Sequence, residues 1–343
     1  MKKNPTVSVI IPVRNLSHSL LHENLPELAK QTFKNFEIII LPNKPSQYDL
    51  SLTKKYKNLR VFPTDTTTRP AQKRDAGVKH SKGNIIAFID DDAYPDKNWL
   101  ENAVKLFNKK DVVAVCGPGI LPANTNLWEK IFDEMLKTWI GAGGHQYRFT
   151  KQKTRLVNDF PSMNFFIKKH IFLKLGGFNN NYWPGEDSKL CNDVIVKEKG
   201  RILYSPRVVV SHHRRNNLTA FLKQHAQYGF HRGAFFAHGD QNSRSLAYLI
   251  PSLFTLYIIA STSYFASIIV SGKQLQNVYL IFTPLLIYCI LIAHLMIKAI
   301  INTKNIIIGL GAALSLFLTH IVYGTMFIKG FIKGLNASAN IYE

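Results

Sequence analysis

The stretch that most constrains this chain is an apolar run, Ile85–Ile89, that ends directly in Asp90, Asp91 and Asp92. A short, uninterrupted apolar run favours a strand buried on both faces, as in a parallel sheet covered by helices. Three adjacent carboxylates at the end of such a strand repel one another unless a cation lies near them. Because open α/β sheets bind ligands at the carboxyl ends of their strands, we expect a divalent cation with a phosphate ligand here. The alternative is a solvated acidic turn that caps the following helix.

Strand-like and helix-like segments alternate along the first 120 residues. Such alternation predicts an α/β fold with a mostly parallel sheet covered on both faces. The predicted strands lie at 7–13, 36–41, 59–62, 85–89 and 112–116, and the predicted helices at 16–31, 49–56, 70–80 and 97–108. Beyond residue 120 we expect an amphipathic stretch at 127–140, helices at 168–178 and 186–199, and a strand pair at 202–204 and 208–210.

The last hundred residues differ sharply in composition from the rest. Residues 1–244 carry 38 Lys or Arg and 21 Asp or Glu, whereas residues 245–343 carry 5 Lys or Arg and 1 acid, Glu343. Three apolar runs in this part are each long enough to cross a bilayer as a helix, which takes about 20 residues. They span 246–270, 278–297 and 305–328. We therefore expect an all-α transmembrane region, and buried soluble helices are the disfavoured alternative.

Residues 218–238 mix aromatic and basic side chains. This mixture suits an amphipathic helix that lies in the membrane interface. A nucleic-acid surface is the alternative, but the segment holds too many apolar residues for it, so we expect membrane lipid and no nucleic acid as a partner. Because positive segments stay in the cytoplasm, the basic part predicts a multi-pass protein of the cell membrane with a cytoplasmic catalytic domain. Three spans would leave the tail outside, although Lys329 and Lys333 argue mildly against that side.

The ordered motifs of residues 5–215 resemble those of the family 2 glycosyltransferases, which have the GT-A fold. The matching segments are Val7–Asn15, Arg74–Gly77, Ile86–Asp92, Leu175–Phe178, Gly185–Asp187 and Ile202–His213. The resemblance implies a Rossmann-like, mostly parallel GT-A domain followed by an all-α transmembrane region. Its expected parts are a nucleotide-sugar-binding half (1–120), an acceptor-binding half (121–215), an interfacial segment (216–244), transmembrane helices (245–330) and a tail (331–343).

The resemblance also implies roles for individual residues. The acidic triplet is similar to the family's DxD motif, so Asp92 and His212 would bind Mn²⁺ or Mg²⁺ and Asp187 would be the catalytic base. Which of His212 and His213 faces the metal stays open, and a surface histidine pair is the alternative. Asp187 has a second interpretation as the N-cap of its helix. The implied donor-binding residues are Pro12, Arg14, Asn43, Arg74, Asp90 and Asp91, and the implied acceptor-side residues are Glu186, Asn164 and Trp183.

One segment departs from the family pattern. An acid usually follows the second strand and binds the nucleotide base, but Leu41 is followed here by Pro42 and Asn43. Asn43 is the candidate replacement, and Lys73 and Arg74 are candidates for contacts with the base or the diphosphate. Farther along, Arg214 and Arg215 are candidates for a diphosphate or lipid phosphate, with a solvated charge run as the equal alternative.

The resemblance implies a membrane-anchored, inverting glycosyltransferase. It would move a sugar from a nucleotide-diphosphate sugar to a lipid-linked or glycan hydroxyl in cell-envelope polysaccharide or glycolipid synthesis. Transfer to polyprenyl phosphate is the alternative within the class. A membrane-bound nucleotidyltransferase is disfavoured because the loop after the first strand, Pro12–Asn15, has no glycine. A non-catalytic nucleotide-binding scaffold is disfavoured because both acidic motifs are present.

Overall fold

A computed structural model describes residues 4–44, 47–65, 67–178, 185–240, 243–272 and 278–336. The chain divides into two compact units. The first comprises Met1–Pro122 and Tyr147–His213, and the second comprises Ala123–Gln146 and Arg214–Glu343. Residues 123–146 thus group with the C-terminal helices, which differs from the expected grouping of 121–215. The reason is packing, since Phe132 stacks on Phe221 at 3.9 Å between ring centroids.

The strands of the first unit form two sheets among the described residues. The strands are β1 (Val7–Pro12), β2 (Phe36–Leu41), β3 (Leu59–Val61), β4 (Ile85–Ile89), β5 (Ala93–Pro95), β6 (Val112–Cys116), β7 (Gly119–Ile120), β8 (Arg155–Val157), β9 (Asn164–Lys168), β10 (Arg201–Tyr204) and β11 (Val210–His212). The large sheet has the order β3-β2-β1-β4-β9-β6-β10-β8, and the small sheet has the order β5-β11-β7. Only β9 and β8 pair antiparallel with their neighbours in the large sheet as described.

The parallel strands are buried on both faces, as their apolar runs predicted. All six residues of β1 and all five of β4 are buried. Two features differ from the expectation. The strand β9 was not predicted, because only three apolar residues, Phe165–Ile167, separate its polar ends. The predicted pair at 202–204 and 208–210 is wrong, since β10 and β11 lie in different sheets.

Helices cover the large sheet and form the second unit. They are α1 (Leu25–Ala29), α2 (Gln47–Lys55), α3 (Pro70–His80), α4 (Trp99–Leu106), α5 (Leu127–Leu136), α6 (Trp139–Ala142), α7 (Lys169–Lys174), α8 (Glu186–Val196), α9 (Leu218–Ala237), α10 (Leu246–Ser271), α11 (Val278–Thr303) and α12 (Ile306–Asn336). A π-helical turn, Leu20–Asn24, precedes α1, and a 3₁₀ turn, Gln146–Arg148, precedes β8. The predicted single helix at 16–31 is therefore shorter and begins with a widened turn.

The three last helices match the expected apolar spans. Among the described residues, the stretches 246–271, 279–303 and 306–335 are long and apolar enough to cross a membrane. Helix α9 packs on α12 through glycines. A Cβ at Gly229 would lie 2.5 Å from the carbonyl oxygen of Tyr323, and one at Gly233 would clash with that of Phe327. Such close backbone approach is typical of small-residue helix pairs in membranes. The interfacial position of α9 stays a prediction.

Candidate active site

The acidic triplet lies in a four-residue turn at the carboxyl end of β4. The turn is closed by the Ala93 N–H, which donates to the Asp90 carbonyl at 3.2 Å. Ala93 begins β5 and pairs with His212 of β11. This pairing brings His212 to the triplet, and its Nε2 lies 3.3 Å from Asp92 Oδ1. The helix that follows, α4, begins at Trp99 after Asn98, so the triplet does not cap it.

One ligand atom from each of Asp90, Asp92 and His212 lies within 4.8 Å of the others. Carboxylate oxygens and an imidazole nitrogen suit Mn²⁺ or Mg²⁺, so this metal-type cluster fits the expected cation. The neighbouring His213 turns to Glu23 instead, with 3.2 Å between His213 Nε2 and Glu23 Oε2. Of the two histidines, His212 is therefore the one that faces the carboxylates.

Asp91, the middle residue of the triplet, is partly buried. Burial, and to a smaller extent the negative charges of Asp92 and Asp90, raise its pKa to about 6, while a hydrogen bond from Ser17 acts in the opposite direction. Its carboxylate thus contacts the loop that follows β1. Two other predicted donor-side residues lie near the end of β1: Pro12 is its buried last residue, and Arg14 is exposed in the loop that follows.

Arg74 joins the triplet to a second acidic group. Its Nη2 lies 2.7 Å from Asp90 Oδ1, and its Nη1 lies 3.7 Å from Glu186 Oε1. The guanidinium also lies over the Phe178 ring, 5.8 Å from the ring centroid. Burial lowers the Arg74 pKa, but the charges of Asp90, Asp187 and Glu186 outweigh it and leave the pKa raised. Arg74 is thus a permanent positive charge between two acidic clusters.

Lys73 does not reach a ligand-binding surface. Its side chain is buried, and Nζ donates to the carbonyls of Val13 and Leu41 and to Asn43 Oδ1. Burial lowers its pKa, and the charge of Asp91 opposes that shift. The expected role of Lys73 as a base or diphosphate contact is therefore wrong for this arrangement. Its ammonium instead ties the ends of β1 and β2 together and holds Asn43.

The second acidic group lies at the start of α8. Glu186 is its first residue and accepts the Gly185 N–H at 3.0 Å. Asp187 follows and makes no cap, which removes the N-cap interpretation. The Asp187 Oδ1 atom is buried and has no hydrogen-bond partner among the residues that the structure describes.

The environment of Asp187 raises its pKa to about 7. Burial is the main cause and the charge of Glu186 adds to it, while Arg74 and hydrogen bonds from Ser162 act in the opposite direction. Ser162 reaches this edge because β9 runs antiparallel, with Asn164 opposite Ile89. Ser162 carried no signal in the sequence, since β9 itself was not predicted.

A partly buried carboxylate that the sequence did not single out, Asp75, shapes the turn after α7. Its Oδ1 accepts the Phe178 N–H at 2.8 Å. A Cβ on Gly177, whose φ is 71°, would lie 2.5 Å from this oxygen, so the turn requires glycine. Burial raises the pKa of Asp75 to about 6. The signal was present, because Asp75 belongs to the Arg74–Gly77 motif.

The expected acceptor-side residue Asn164 lies inside the fold. Asn164 is fully buried, accepts the Trp99 indole N–H at 2.8 Å, and donates to the carbonyls of Gly117 and Val208. The expected acceptor contact is therefore wrong in this arrangement, since its amide is enclosed by the fold. Trp183 lies outside the described residues.

The arginine pair after β11 belongs to the second unit. Arg214 is buried and its Nη2 lies 2.8 Å from Asp133 Oδ1. Arg215 is exposed and donates to Gln224 at 3.3 Å. The expectation that Arg214 binds a phosphate is wrong here, because a carboxylate already neutralises it.

Comparison with known proteins agrees with these features. Residues 8–176 match the family model described as glycosyl transferase family 2. A Methanococcus voltae relative, dolichyl N-acetyl-alpha-D-glucosaminyl phosphate 3-beta-D-2,3-diacetamido-2,3-dideoxy-beta-D-glucuronosyltransferase, is 25% identical over 96% of this chain and 98% of its own length. A Haloferax volcanii relative, glucosyl-dolichyl phosphate glucuronosyltransferase, is 21% identical over 60% of this chain and 68% of its own.

A solved structure resembles nearly the whole chain. The mannosyltransferase PcManGT from Pyrobaculum calidifontis, in complex with GDP-Man and Mn²⁺, superposes with a TM-score of 0.60 at 17% identity. The match covers 97% of this chain and 88% of that one. This likeness confirms the predicted fold, a GT-A domain followed by an all-α region.

Proposed function

Because residues 8–176 make this chain a family 2 glycosyltransferase, we propose that it transfers a sugar from a nucleotide-diphosphate sugar to a hydroxyl of a lipid-linked acceptor, with inversion at the anomeric carbon. The observation that carries the proposal is the pair of acidic clusters joined by Arg74 at one sheet edge. The names of the two relatives, which act on dolichyl-phosphate-linked sugars, support the lipid-linked acceptor. Such a reaction belongs to cell-envelope polysaccharide or glycolipid synthesis.

The metal-type cluster forms the donor side. Asp90, Asp92 and His212 hold the divalent cation, which the Mn²⁺ in the complex of the similar mannosyltransferase supports. A bound cation neutralises the charge that develops on the diphosphate leaving group. Arg74 adds a fixed positive charge beside it. The remaining donor-side residues are Pro12, Arg14, Asn43 and Asp91.

Asp187 is the base that takes the proton of the acceptor hydroxyl. General bases work best when their pKa lies near the operating pH, and burial raises the pKa of Asp187 to about 7. A single displacement, with the hydroxyl attacking opposite the diphosphate, inverts the anomeric carbon. Glu186 and Trp183 complete the acceptor side of the proposal.

The helical unit holds the enzyme at the membrane, where a lipid-linked acceptor is found. We place the catalytic domain in the cytoplasm, because the soluble part is basic. Cysteine labelling tests this side. A cysteine at the exposed Asn108, in a Cys289→Ser background, should react with an impermeant reagent only after the cells are opened. Labelling in intact cells would reverse the orientation.

The activity can be tested with the full-length protein in lipid nanodiscs. A panel of nucleotide sugars is screened for thermal stabilisation with Mn²⁺ or Mg²⁺, and the stabilising donor is then incubated with dolichyl phosphate and dolichyl-phosphate-linked sugars. We expect one donor to stabilise the protein only with metal, and its nucleoside diphosphate to be released only with an acceptor. Release of pyrophosphate would indicate a nucleotidyltransferase. Donor binding without release under any acceptor would indicate a scaffold.

A further inference from the structure

The π-helical turn Leu20–Asn24 lies against the segments that carry the metal-type cluster. Such turns insert a residue into a helix and are frequent at functional sites. The last two side chains of this turn reach the metal-type cluster from different directions. Glu23 contacts His213, which follows the ligand His212, and Asn24 contacts the backbone of the acidic turn. Neither residue belongs to the cluster itself, and neither carried a recognisable signal in the sequence.

Asn24 holds both ends of the acidic turn. It is fully buried, and its Nδ2 donates to the carbonyls of Asp90, at 3.3 Å, and of Ala93. These carbonyls belong to the first and last residues of the turn, and the Ala93 N–H closes the same turn from inside. A side-chain amide has two N–H donors and fits two carbonyls, whereas an ionised carboxylate has no donor.

Glu23 holds the other side of the cluster through His213. The His213 ring lies 3.2 Å from the Glu23 carboxylate, and the His213 main-chain N–H donates to the Asp92 carbonyl at 3.3 Å. With His213 turned to Glu23, the adjacent His212 directs its ring to Asp92. Glu23 therefore holds the His213 ring away from the carboxylates that the His212 ring faces.

We propose that Glu23 and Asn24 are positioning residues for the divalent cation, which rests on the proposed function. Together they fix the acidic turn and the end of β11, which keeps the ligand atoms of Asp90, Asp92 and His212 within 4.8 Å of one another. Glu23 and Asn24 themselves do not touch substrate in this proposal. Loss of such supporting contacts typically lowers metal affinity by about 10–100-fold.

The test measures Mn²⁺ binding to the full-length protein without donor or acceptor, by the electron paramagnetic resonance signal of free Mn²⁺. Asn24→Leu and Glu23→Ala should each weaken binding by about 10–100-fold. Glu23→Gln retains a partner for His213 and should recover most of the affinity. In transfer assays the Mn²⁺ concentration for half-maximal rate should rise, while the rate at saturating Mn²⁺ changes less.

Gln31 provides a matched control. It is also a fully buried amide. Like Asn24, it joins the region around α1 to the chain that follows β4, because it donates to the Asp96 carbonyl at 2.8 Å and accepts the Leu100 N–H at 3.1 Å. Gln31→Leu should lower the melting temperature but change Mn²⁺ affinity by less than about twofold, because its contacts lie beyond the cluster.

Two results would overturn the positioning role. One is wild-type Mn²⁺ affinity in both Asn24→Leu and Glu23→Ala, and the other is an equal loss of affinity in Gln31→Leu. Asp92→Ala, measured alongside, separates this failure from a failure of the proposed function. If Asp92→Ala also binds Mn²⁺ normally, the metal site itself is refuted. If it alone loses Mn²⁺, only the positioning role is refuted.

Discussion

The two acidic clusters on either side of Arg74 contain similar groups in different surroundings. In the metal-type cluster, the side chains of Asp90, Asp92 and His212 are 30%, 40% and 22% exposed. In the other cluster, the Glu186 side chain is only 9% exposed and the Asp187 Oδ1 is buried. Partly exposed carboxylates can exchange water for a cation at low desolvation cost. Buried carboxylates cannot, so here the Arg74 guanidinium offsets their charge, and burial raises the pKa of Asp187.

In the proposed function, the two clusters carry out two different chemical tasks. Stabilising a leaving diphosphate needs charged ligands that stay ionised and accept a metal. Deprotonating a hydroxyl needs a carboxylate whose pKa lies near neutrality. Arg74 contacts one member of each cluster and would therefore couple the proposed donor and acceptor sides electrostatically.

The largest expected effect on transfer is that of Asp187→Asn. The amide keeps the shape but cannot accept the proton, so transfer should fall on the order of 10²–10⁴-fold. Donor affinity should survive, because the metal-type cluster is unchanged. Glu186→Gln is the matched variant and should reduce transfer less, since Glu186 contacts Arg74 and its own helix start. Single-turnover transfer and donor titration check both, and near-normal transfer by Asp187→Asn would remove it from this role.

Changing Arg74 tests whether the two clusters are coupled. Arg74→Lys cannot contact Asp90 and Glu186 with separate nitrogens of one planar group. We expect a loss of stability of about 3 kcal/mol, as when a buried ion pair is broken, and transfer lowered on the order of 10²-fold. The measurements are thermal unfolding and transfer rate. If Arg74→Lys has the wild-type melting temperature and transfer rate, Arg74 does not couple the two clusters.

The pH dependence of transfer should report the pKa of Asp187. A base acts in its deprotonated form, so the rate should rise with pH through the pKa of Asp187, about 7. About one-tenth of such a carboxyl is ionised at pH 6 and about nine-tenths at pH 8, which predicts a rise of about tenfold. The profile is measured at saturating metal and donor. The same rise in Asp187→Asn would assign it to another group.

The smallest expected effect concerns stability. Burial raises the pKa of Asp187 above its ordinary value of 3.8, so the folded protein holds this proton more tightly than the unfolded chain. Stability from this group is therefore lost as pH rises from about 4 through 7. Asp187→Asn should raise the melting temperature by a few degrees at pH 8 and by less at pH 5. An equal change in melting temperature at pH 5 and pH 8 would contradict this assignment.

The sequence predicted the parallel core and the acidic turn because both are local patterns. The uninterrupted apolar run Ile85–Ile89 is stable only when it is buried. The three acids directly after it mark the edge of the sheet. The pairing of Ala93 with His212 joins residues far apart in the chain, so only the resemblance, and not the residue pattern, pointed to His212. Nothing local indicated which histidine would face the carboxylates.

The misassigned polar residues share one physical cause. Lys73 and Asn164 are residue types that usually reach solvent or ligand, but here each satisfies buried carbonyls at strand ends. Asn24 does the same at the acidic turn. Backbone carbonyls that need partners arise only when the strands assemble, so the sequence carries no sign of them.

The most direct test of the division between the two clusters is donor affinity, measured by calorimetry with Mn²⁺ for wild type, Asp92→Ala and Asp187→Asn. We predict that Asp92→Ala loses metal-dependent donor binding, while Asp187→Asn binds the donor within a few-fold of wild type and yet fails to transfer. Normal donor binding by Asp92→Ala, or its loss in Asp187→Asn, would contradict the assignment of the metal to one cluster and the base to the other.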